Sequence, residues 1–301
     1  MQEIKGLAGS HGVDLDRAAR AVLAGGRTVM SRYADDPRVQ AGQWGGPVTE
    51  ADRASHRAIL EVLAPLSPPD RIVSEEDVDE DPLGEEISGE NRLWLVDPLD
   101  GTREFLARNG EFSVMVGLAV DGKAMVGAVY QPVPDRLFLG VVGGGAWLVE
   151  DTTGGGRIRS LDLSDGSAGN PIRVVRSRSH GDERLERLAG HTGGIEWVVS
   201  GSVGIKCALI ALGEADLYVH PVPYLKEWDT CAPETVLAGA GGRVTDCLGD
   251  PLDYGKADPH QPGGIFASRP DVWPEVAPLV KQLFQGEDGP SGGPSKGELS
   301  Q

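Results

Sequence analysis

Sulfur is scarce in this chain of 301 residues. Its three cysteines, Cys207, Cys231 and Cys247, are odd in number, lack Cys-x-x-Cys spacing and lie in apolar segments. That pattern excludes a disulfide framework or a thiolate metal site as the organising feature and predicts three buried thiols in a reducing compartment. Aromatic residues make up only 5%, so the core has to rely on Val, Leu, Ile and Ala. Basic charge is short too, with 28 Lys and Arg against 46 Asp and Glu, for a formal net charge of −18. A surface so acidic repels a polynucleotide backbone, and nucleic acid is not an expected partner. No apolar run reaches the ~20 residues that span a bilayer. The opening MQEIKGLAGSHG has no apolar stretch of the secretion-signal kind. The expectation is a cytoplasmic protein with no membrane partner.

What the chain does have is turns and enough apolar mass for a sizeable core. Hydrophobic residues make up 40%, and Gly (43) and Pro (21) are abundant. Residues 13–33 carry Ala18-Ala19, Val22-Leu23 and Val29-Met30 at helical spacing, with Asp14 as the expected N-cap. Thr49 followed by Asp52 is a capping-box signature ahead of Ile59, Leu60 and Leu63. The acidic, Gly/Pro-punctuated stretch 76–92 reads as a solvated loop. LWLVD (93–97) reads as a buried strand, residues 113–133 as a hairpin turning at Asp121-Gly122, and 136–150 as a second hairpin.

The polar stretch 151–170 divides two expected halves: an α+β unit over 1–155 and an α/β unit over 165–285. The second half reads as a mixed sheet with helices near 182–190, 203–213 and 230–241. The tail 286–301 is low-complexity and reads as disordered.

The segment richest in chemistry is Trp94-Leu95-Val96-Asp97-Pro98-Leu99-Asp100-Gly101-Thr102. A buried strand delivers Asp97, Pro98 fixes a turn, and Asp100 comes round toward the same point. Gly101 permits an unusual backbone angle, and Thr102 opens a helix. Two carboxylates so placed can grip a hard cation, and the Gly101 and Thr102 amides stand at a helix N-terminus where an anion is favoured. On its own, the same pentapeptide fits a surface turn with Asp100 as a helix cap equally well. The apolar strand in front tips the reading toward a site, because a surface turn needs no buried lead-in. Two more acidic places, Val73-Ser74-Glu75-Glu76-Asp77 and Glu227-Trp228-Asp229-Thr230, are singly more in keeping with a strand end and a helix cap.

Taken together and in order, these motifs resemble the lithium-sensitive inositol monophosphatase superfamily, and within it the 3′(2′),5′-bisphosphate nucleotidases of CysQ type. The resemblance rests on PVTEAD (47–52), VSEED (73–77), WLVDPLDGTREF (94–105), GSVGIKCALIALGEADLYV (201–219) and EWDTCAPE (227–234). It implies a layered α/β/α/β/α sandwich of α+β class and a phosphomonoesterase using two to three Mg²⁺ ions. By the resemblance, Glu75, Asp97 and the carbonyl of Leu99 hold the first ion, and Asp97, Asp100 and Asp229 the second. Glu75 also touches a weaker third ion. Asp52 and Thr102 orient and deprotonate the attacking water, and Gly101 and Thr102 cradle the phosphate.

The implied substrate is small, with 3′-phosphoadenosine 5′-phosphate ahead of inositol 1-phosphate or another sugar phosphate. Inositol monophosphatases carry a Glu seven residues before the Asp of the Trp-Asp motif, where this chain has Val222. Ser177-Arg178-Ser179-His180 and Gly201-Ser202 with Lys206 resemble nucleotidase segments. They assign His180, Gly201, Ser202 and Lys206 to substrate, with Lys206 supplying charge for a second phosphate. A monomer or homodimer is expected. A non-catalytic metal or nucleotide sensor on the same fold is the reading from another class.

Overall fold

The computed structural model describes residues 2–34, 39–42, 46–65, 70–77, 91–178, 183–221 and 224–285, with the backbone alone for Gln2, Glu3 and Glu183. The chain opens with α1 (Gln2–Leu7) and α2 (Gly12–Met30), then a short antiparallel pair, β1 (Gln40–Ala41) with β2 (Pro47–Val48). After these come α3 (Glu50–Leu63), β3 (Arg71–Ser74), β4 (Arg92–Asp100) and α4 (Thr102–Leu106). An antiparallel run continues through β5 (Ser113–Val120), β6 (Lys123–Gln131), β7 (Arg136–Val141), β8 (Gly145–Glu150) and β9 (Arg157–Leu161). The rest comprises β10 (Ile172–Arg176), a 3₁₀ segment (Glu183–Gly190), β11 (Ile195–Val199), α5 (Val203–Ala211), β12 (Leu217–His220), α6 (Glu227–Gly239), β13 (Arg243–Thr245), β14 (Ile265–Ser268) and α7 (Trp273–Phe284).

These elements stack in the expected order, α/β/α/β/α. The seven-stranded sheet runs β3-β4-β5-β6-β7-β8-β9, parallel only between β3 and β4. The five-stranded sheet runs β11-β10-β12-β14-β13, with β10 parallel to both of its neighbours. Three apolar interfaces join the layers. Leu15, Val22 and Ile59 of α2 and α3 pack on Trp94, Val116 and Leu139 of the larger sheet. Cys207, Ile210, Ala232 and Val236 of α5 and α6 fill the space between Met115 and Phe138 on one side and Tyr218 and Ala267 on the other. Val276, Val280 and Phe284 of α7 close the outer face of the smaller sheet. Among the described residues no helix is long and apolar enough to cross a membrane.

Local chemistry explains most of the predicted elements. Asp121 and Gly122 take φ of 50° and 78° between β5 and β6, as a two-residue hairpin turn requires. The capping box at Thr49 and Asp52 is present. Some expectations are corrected. His11 is the N-cap of α2, and Asp14 lies inside the first turn, where it accepts a hydrogen bond from Arg92 at 2.9 Å. The polar stretch 151–170 contains β9, the edge strand of the larger sheet, whose mostly exposed residues give little apolar signal. The helix expected near 182–190 is 3₁₀, and the one expected from 230 begins at Glu227. The tail 286–301 and most of the acidic loop fall outside the described residues.

One row of residues sets where α6 lies. Gly117, Gly127 and Gly140 are register partners across β5, β6 and β7. A Cβ on Gly117 would stand 2.6 Å from Cys231 Sγ, and one on Gly127 2.7 Å from Ala232 Cα. On Gly140 it would run into the Thr235 and Val236 backbone. The row is a trough that lets the helix backbone rest on the sheet, and α6 carries Asp229 at its N-terminal end. Gly127→Ala is therefore expected to destabilise the fold by about 1–3 kcal/mol, the usual cost of overpacking, read as a lowered thermal midpoint. A midpoint equal to wild type would show that α6 does not depend on this close approach.

Candidate active site

The site is assembled around the end of β4. Asp97 (1% exposed) pairs in register with Met115 of β5, whereas Asp100 pairs with Ser113. Three steps on one strand thus oppose two on the other, so one extra residue is inserted. In a regular strand Asp97 and Asp100 would point to opposite faces; the bulge brings them to the same side. Pro98 sits inside this irregularity, where its missing N–H costs no ladder bond. The strand therefore continues to Asp100 where a turn at Pro98 was predicted. The Leu99 N–H donates to Asp97 Oδ1 at 3.0 Å. β3 lies parallel beside β4, and the Glu75 N–H donates to the Val96 carbonyl at 3.1 Å, which sets Glu75 level with Asp97.

The later part of the chain adds two elements. Asp229 occupies the third position of α6, and its Oδ2 accepts from the Lys226 N–H at 2.6 Å, a capping contact that fixes the carboxylate at the helix start. At α5, Ser202 is the N-cap, accepts from the Ile205 N–H and donates through its hydroxyl to Asp100 Oδ2 at 2.6 Å. The Gly204 N–H donates to the same oxygen at 3.1 Å. Ser202 holds φ at 47°, rare for a non-glycine residue, and its hydrogen bonds compensate for that conformation.

The Thr102–Asp52 pair forms a separate unit. The Thr102 hydroxyl lies 3.0 Å from Asp52 Oδ1 and 3.2 Å from the Leu99 carbonyl oxygen. Asp52 Oδ2 is held by the Thr49 N–H at 2.7 Å and the Thr49 hydroxyl at 2.6 Å. The capping box of α3 thus aims one Asp52 oxygen at Thr102. Gly101, with φ of 94°, precedes Thr102 as the N-cap of α4. A cleft bounded by Asp52, Glu75, Glu76 and Thr102 opens beneath Ala41, Pro47 and Val48 of the β1–β2 pair.

Electrostatics mark this place out. Burial, then the Asp229 and Glu76 charges, raises Glu75 well above the ordinary carboxylate range. Burial, then Glu75, Asp100 and Asp229, does the same to Asp97. Asp229 is pushed up to about 7 by burial, against the opposing Lys226 N–H. Glu76 also rises to about 7, mainly by burial and next by Asp52. Such carboxylates share a low-dielectric space and oppose each other's ionisation. Even so, among the described residues no three of them stand close enough to form a finished ion shell. Protein donors hold an oxygen of Asp97, Asp100 and Asp229. The donor set consists of oxygens on rigid elements and fits a hard divalent cation such as Mg²⁺ better than a soft one.

Some residues the sequence assigned to substrate are engaged by the protein itself. The Gly201 N–H donates to Glu111 Oε2 at 2.8 Å, and the Ser202 hydroxyl to Asp100. Lys206 is 4% exposed, with Nζ 5.3 Å from the Tyr218 ring centroid. Arg178 pairs with Glu111. Ser179, His180 and Val222 lie outside the described residues. Sequence reasoning passed over Glu76, Glu111, Ser113 and Lys226; of these, only Glu76 carried a signal, its place beside Glu75.

Comparison with known proteins agrees with this geometry. The inositol monophosphatase family model matches residues 14–282. A 3′(2′),5′-bisphosphate nucleotidase CysQ of Escherichia coli O157:H7 is 38% identical over 243 residues, covering 80% of this chain and 93% of the relative. Its namesake in Escherichia coli strain K12 is 41% identical over 209 residues, covering 69% and 79%. The crystal structure of CysQ from Bacteroides thetaiotaomicron, itself a bacterial member of the inositol monophosphatase family, superposes with a TM-score of 0.71 at 32% identity, covering 85% of this chain and 97% of that one. With the family model spanning nearly the whole sandwich and these relatives sharing its length, the chain belongs to the inositol monophosphatase family.

Proposed function

We propose that the chain is a Mg²⁺-dependent 3′(2′),5′-bisphosphate nucleotidase that converts 3′-phosphoadenosine 5′-phosphate to AMP and phosphate. The observation that carries the reading is the Thr102–Asp52 hydrogen bond in a cleft it shares with the half-buried carboxylate Glu75. Glu75, Asp97 and the Leu99 carbonyl would hold one Mg²⁺, and Asp97, Asp100 and Asp229 a second, with Glu75 shared toward a third. Bound there, Mg²⁺ polarises phosphoryl oxygens and acidifies a coordinated water.

The chain's own groups supply the rest. When the Thr102 hydroxyl donates to Asp52 Oδ1, its oxygen would accept a proton from a water molecule in the cleft. Asp52 then receives the Thr102 proton, so the two act as one relay. Burial raises Asp52 above the ordinary carboxylate range, while the Thr49 and Thr102 hydrogen bonds hold it down. That upward direction suits a proton acceptor. The Gly101 and Thr102 amides, at the start of α4, would cradle the phosphate. Cys231 takes no part: burial pushes its thiol well up, and it lies against Gly117.

Substrate choice is supported by the relatives' shared name and by Val222 at the position where inositol monophosphatases carry a Glu. The test is phosphate release from 3′-phosphoadenosine 5′-phosphate, inositol 1-phosphate and fructose 1,6-bisphosphate, with Mg²⁺, with chelator, and with millimolar Li⁺. The expected result is a preference for the nucleotide that is lost in chelator and suppressed by Li⁺. Preference for inositol 1-phosphate would overturn the substrate reading, and binding without turnover of any of the three would make the chain a sensor.

Thr102→Ala removes the relay's hydroxyl but keeps the amide. A fall in kcat of roughly 10²–10⁴, typical of a lost acid–base element, is expected with little change in KM. A large rise in KM at normal kcat would place Thr102 in substrate binding instead.

A further inference from the structure

Glu111 is a carboxylate that the reaction as described does not use, yet it joins three parts of the fold beside the site. It lies in the loop between α4 and β5. That loop is itself anchored, with the Glu111 N–H donating to Asn109 Oδ1 at 2.9 Å and the Gln131 side chain of β6 to the Gly110 carbonyl at 3.2 Å. Glu111 Oε2 accepts from the Gly201 N–H at 2.8 Å, in the turn that starts α5. Arg178, two residues past the end of β10, donates to both Glu111 oxygens, a two-point pairing that fixes the carboxylate's plane. The turn presses closely on the loop: a Cβ on Gly201 would stand 2.4 Å from Glu104 Cγ and 2.6 Å from the Glu111 carbonyl oxygen.

Ser202 follows directly, with its φ of 47°. A non-glycine residue keeps such a conformation only where its surroundings impose it. Bonds on both sides do so here. Before it stands the Gly201–Glu111 contact. After it, the Ser202 hydroxyl meets Ser113 Oγ at 2.9 Å, Asp100 Oδ2 at 2.6 Å and the Ile205 N–H at 3.1 Å. We infer that Glu111 is a positioning residue: it clamps the Gly201–Ser202 turn and so aims the Ser202 hydroxyl at Asp100. The inference rests on Asp100 being an ion ligand. Asp100 ends β4, and the donors that hold its carboxylate come from the α5 start. Those donors are only as well placed as the strained turn that carries them. Arg178 keeps the partly exposed Glu111 side chain on the turn and away from solvent. Groups that orient a ligand without touching the ion typically set metal affinity by about ten- to a hundredfold.

The first test is calorimetric titration of Mg²⁺ into substrate-free protein. Glu111→Ala is expected to weaken binding by about tenfold or more. Glu111→Gln, whose amide oxygen can still accept from Gly201, is expected to restore most of it. Unchanged affinity in the Ala variant, or a Gln variant as weak as Ala, would overturn the inference. So would an Arg178→Met variant with the full loss of Glu111→Ala, which would assign the effect to the ion pair. A double-mutant cycle separates positioning from general loosening: in a Ser202→Ala background, Glu111→Ala is expected to cost little further affinity. Losses that multiply would show two independent effects and overturn it too. A second measurement needs no ion. In chelator, amide hydrogen exchange across 201–206 is expected to quicken in Glu111→Ala and to stay near wild type in Glu111→Gln. Unchanged exchange in Glu111→Ala would refute the clamp. A wild-type protein that takes up no Mg²⁺ would sink the ion-site reading, while the exchange arm would still decide whether Glu111 holds the turn.

Discussion

Carboxylates brought into one buried space repel one another and lose hydration together, and the architecture of this chain follows from managing that cost. Glu75, Asp97 and Asp229 are each raised by burial and then by their neighbours' charges. Left alone, such a cluster would drift apart or hold protons. The fold prevents drift by tying the acids to elements that cannot move singly. Asp97 and Asp100 share one strand, Glu75 sits just past the end of its parallel neighbour, and Asp229 is locked to the start of a helix. What remains is a set of carboxylate oxygens on rigid elements, a donor chemistry that suits a hard cation better than a soft one.

Two devices far apart in sequence make this possible. The β4 bulge turns two acids to one side, and the glycine row lowers α6 onto β5–β7, so that Asp229 starts where β4 ends. The five layers then have a purpose beyond burial. α5 and α6 form the shared middle layer, and both present their N-terminal ends to the site, one through Ser202 and one through Asp229. Amides at helix starts suit negative groups, and here both starts receive carboxylates.

Parts of this were legible in the sequence because their causes are local. The capping box at Thr49 and Asp52, the Asp121-Gly122 turn and the buried run before Asp97 are each set by a few adjacent residues. The Asp52–Thr102 pairing joins two local signals, since each residue is placed by its own helix start. Other features depend on what meets across the fold. Nothing in Gly117, Gly127 or Gly140 singly announces a trough, because it exists only through strand register. The reading of Pro98 as a turn went wrong for a related reason: an Asp-Pro-x-Asp-Gly string suits a turn or a bulge, and pairing with β5 decides between them. The burial of Lys206 against Tyr218 was not legible either, because it depends on how the second sheet faces the first.

The central claim is that these acids form a divalent-ion site with Asp97 shared between ions. The most direct measurement is anomalous diffraction from crystals of the protein soaked in Mn²⁺, a heavier stand-in for Mg²⁺. The account predicts two strong peaks flanking the Asp97 carboxylate, one toward Glu75 and the Leu99 carbonyl and the other toward Asp100 and Asp229. Peaks elsewhere on the acidic surface with none at Asp97, or a single ion that leaves Asp229 untouched, would contradict it.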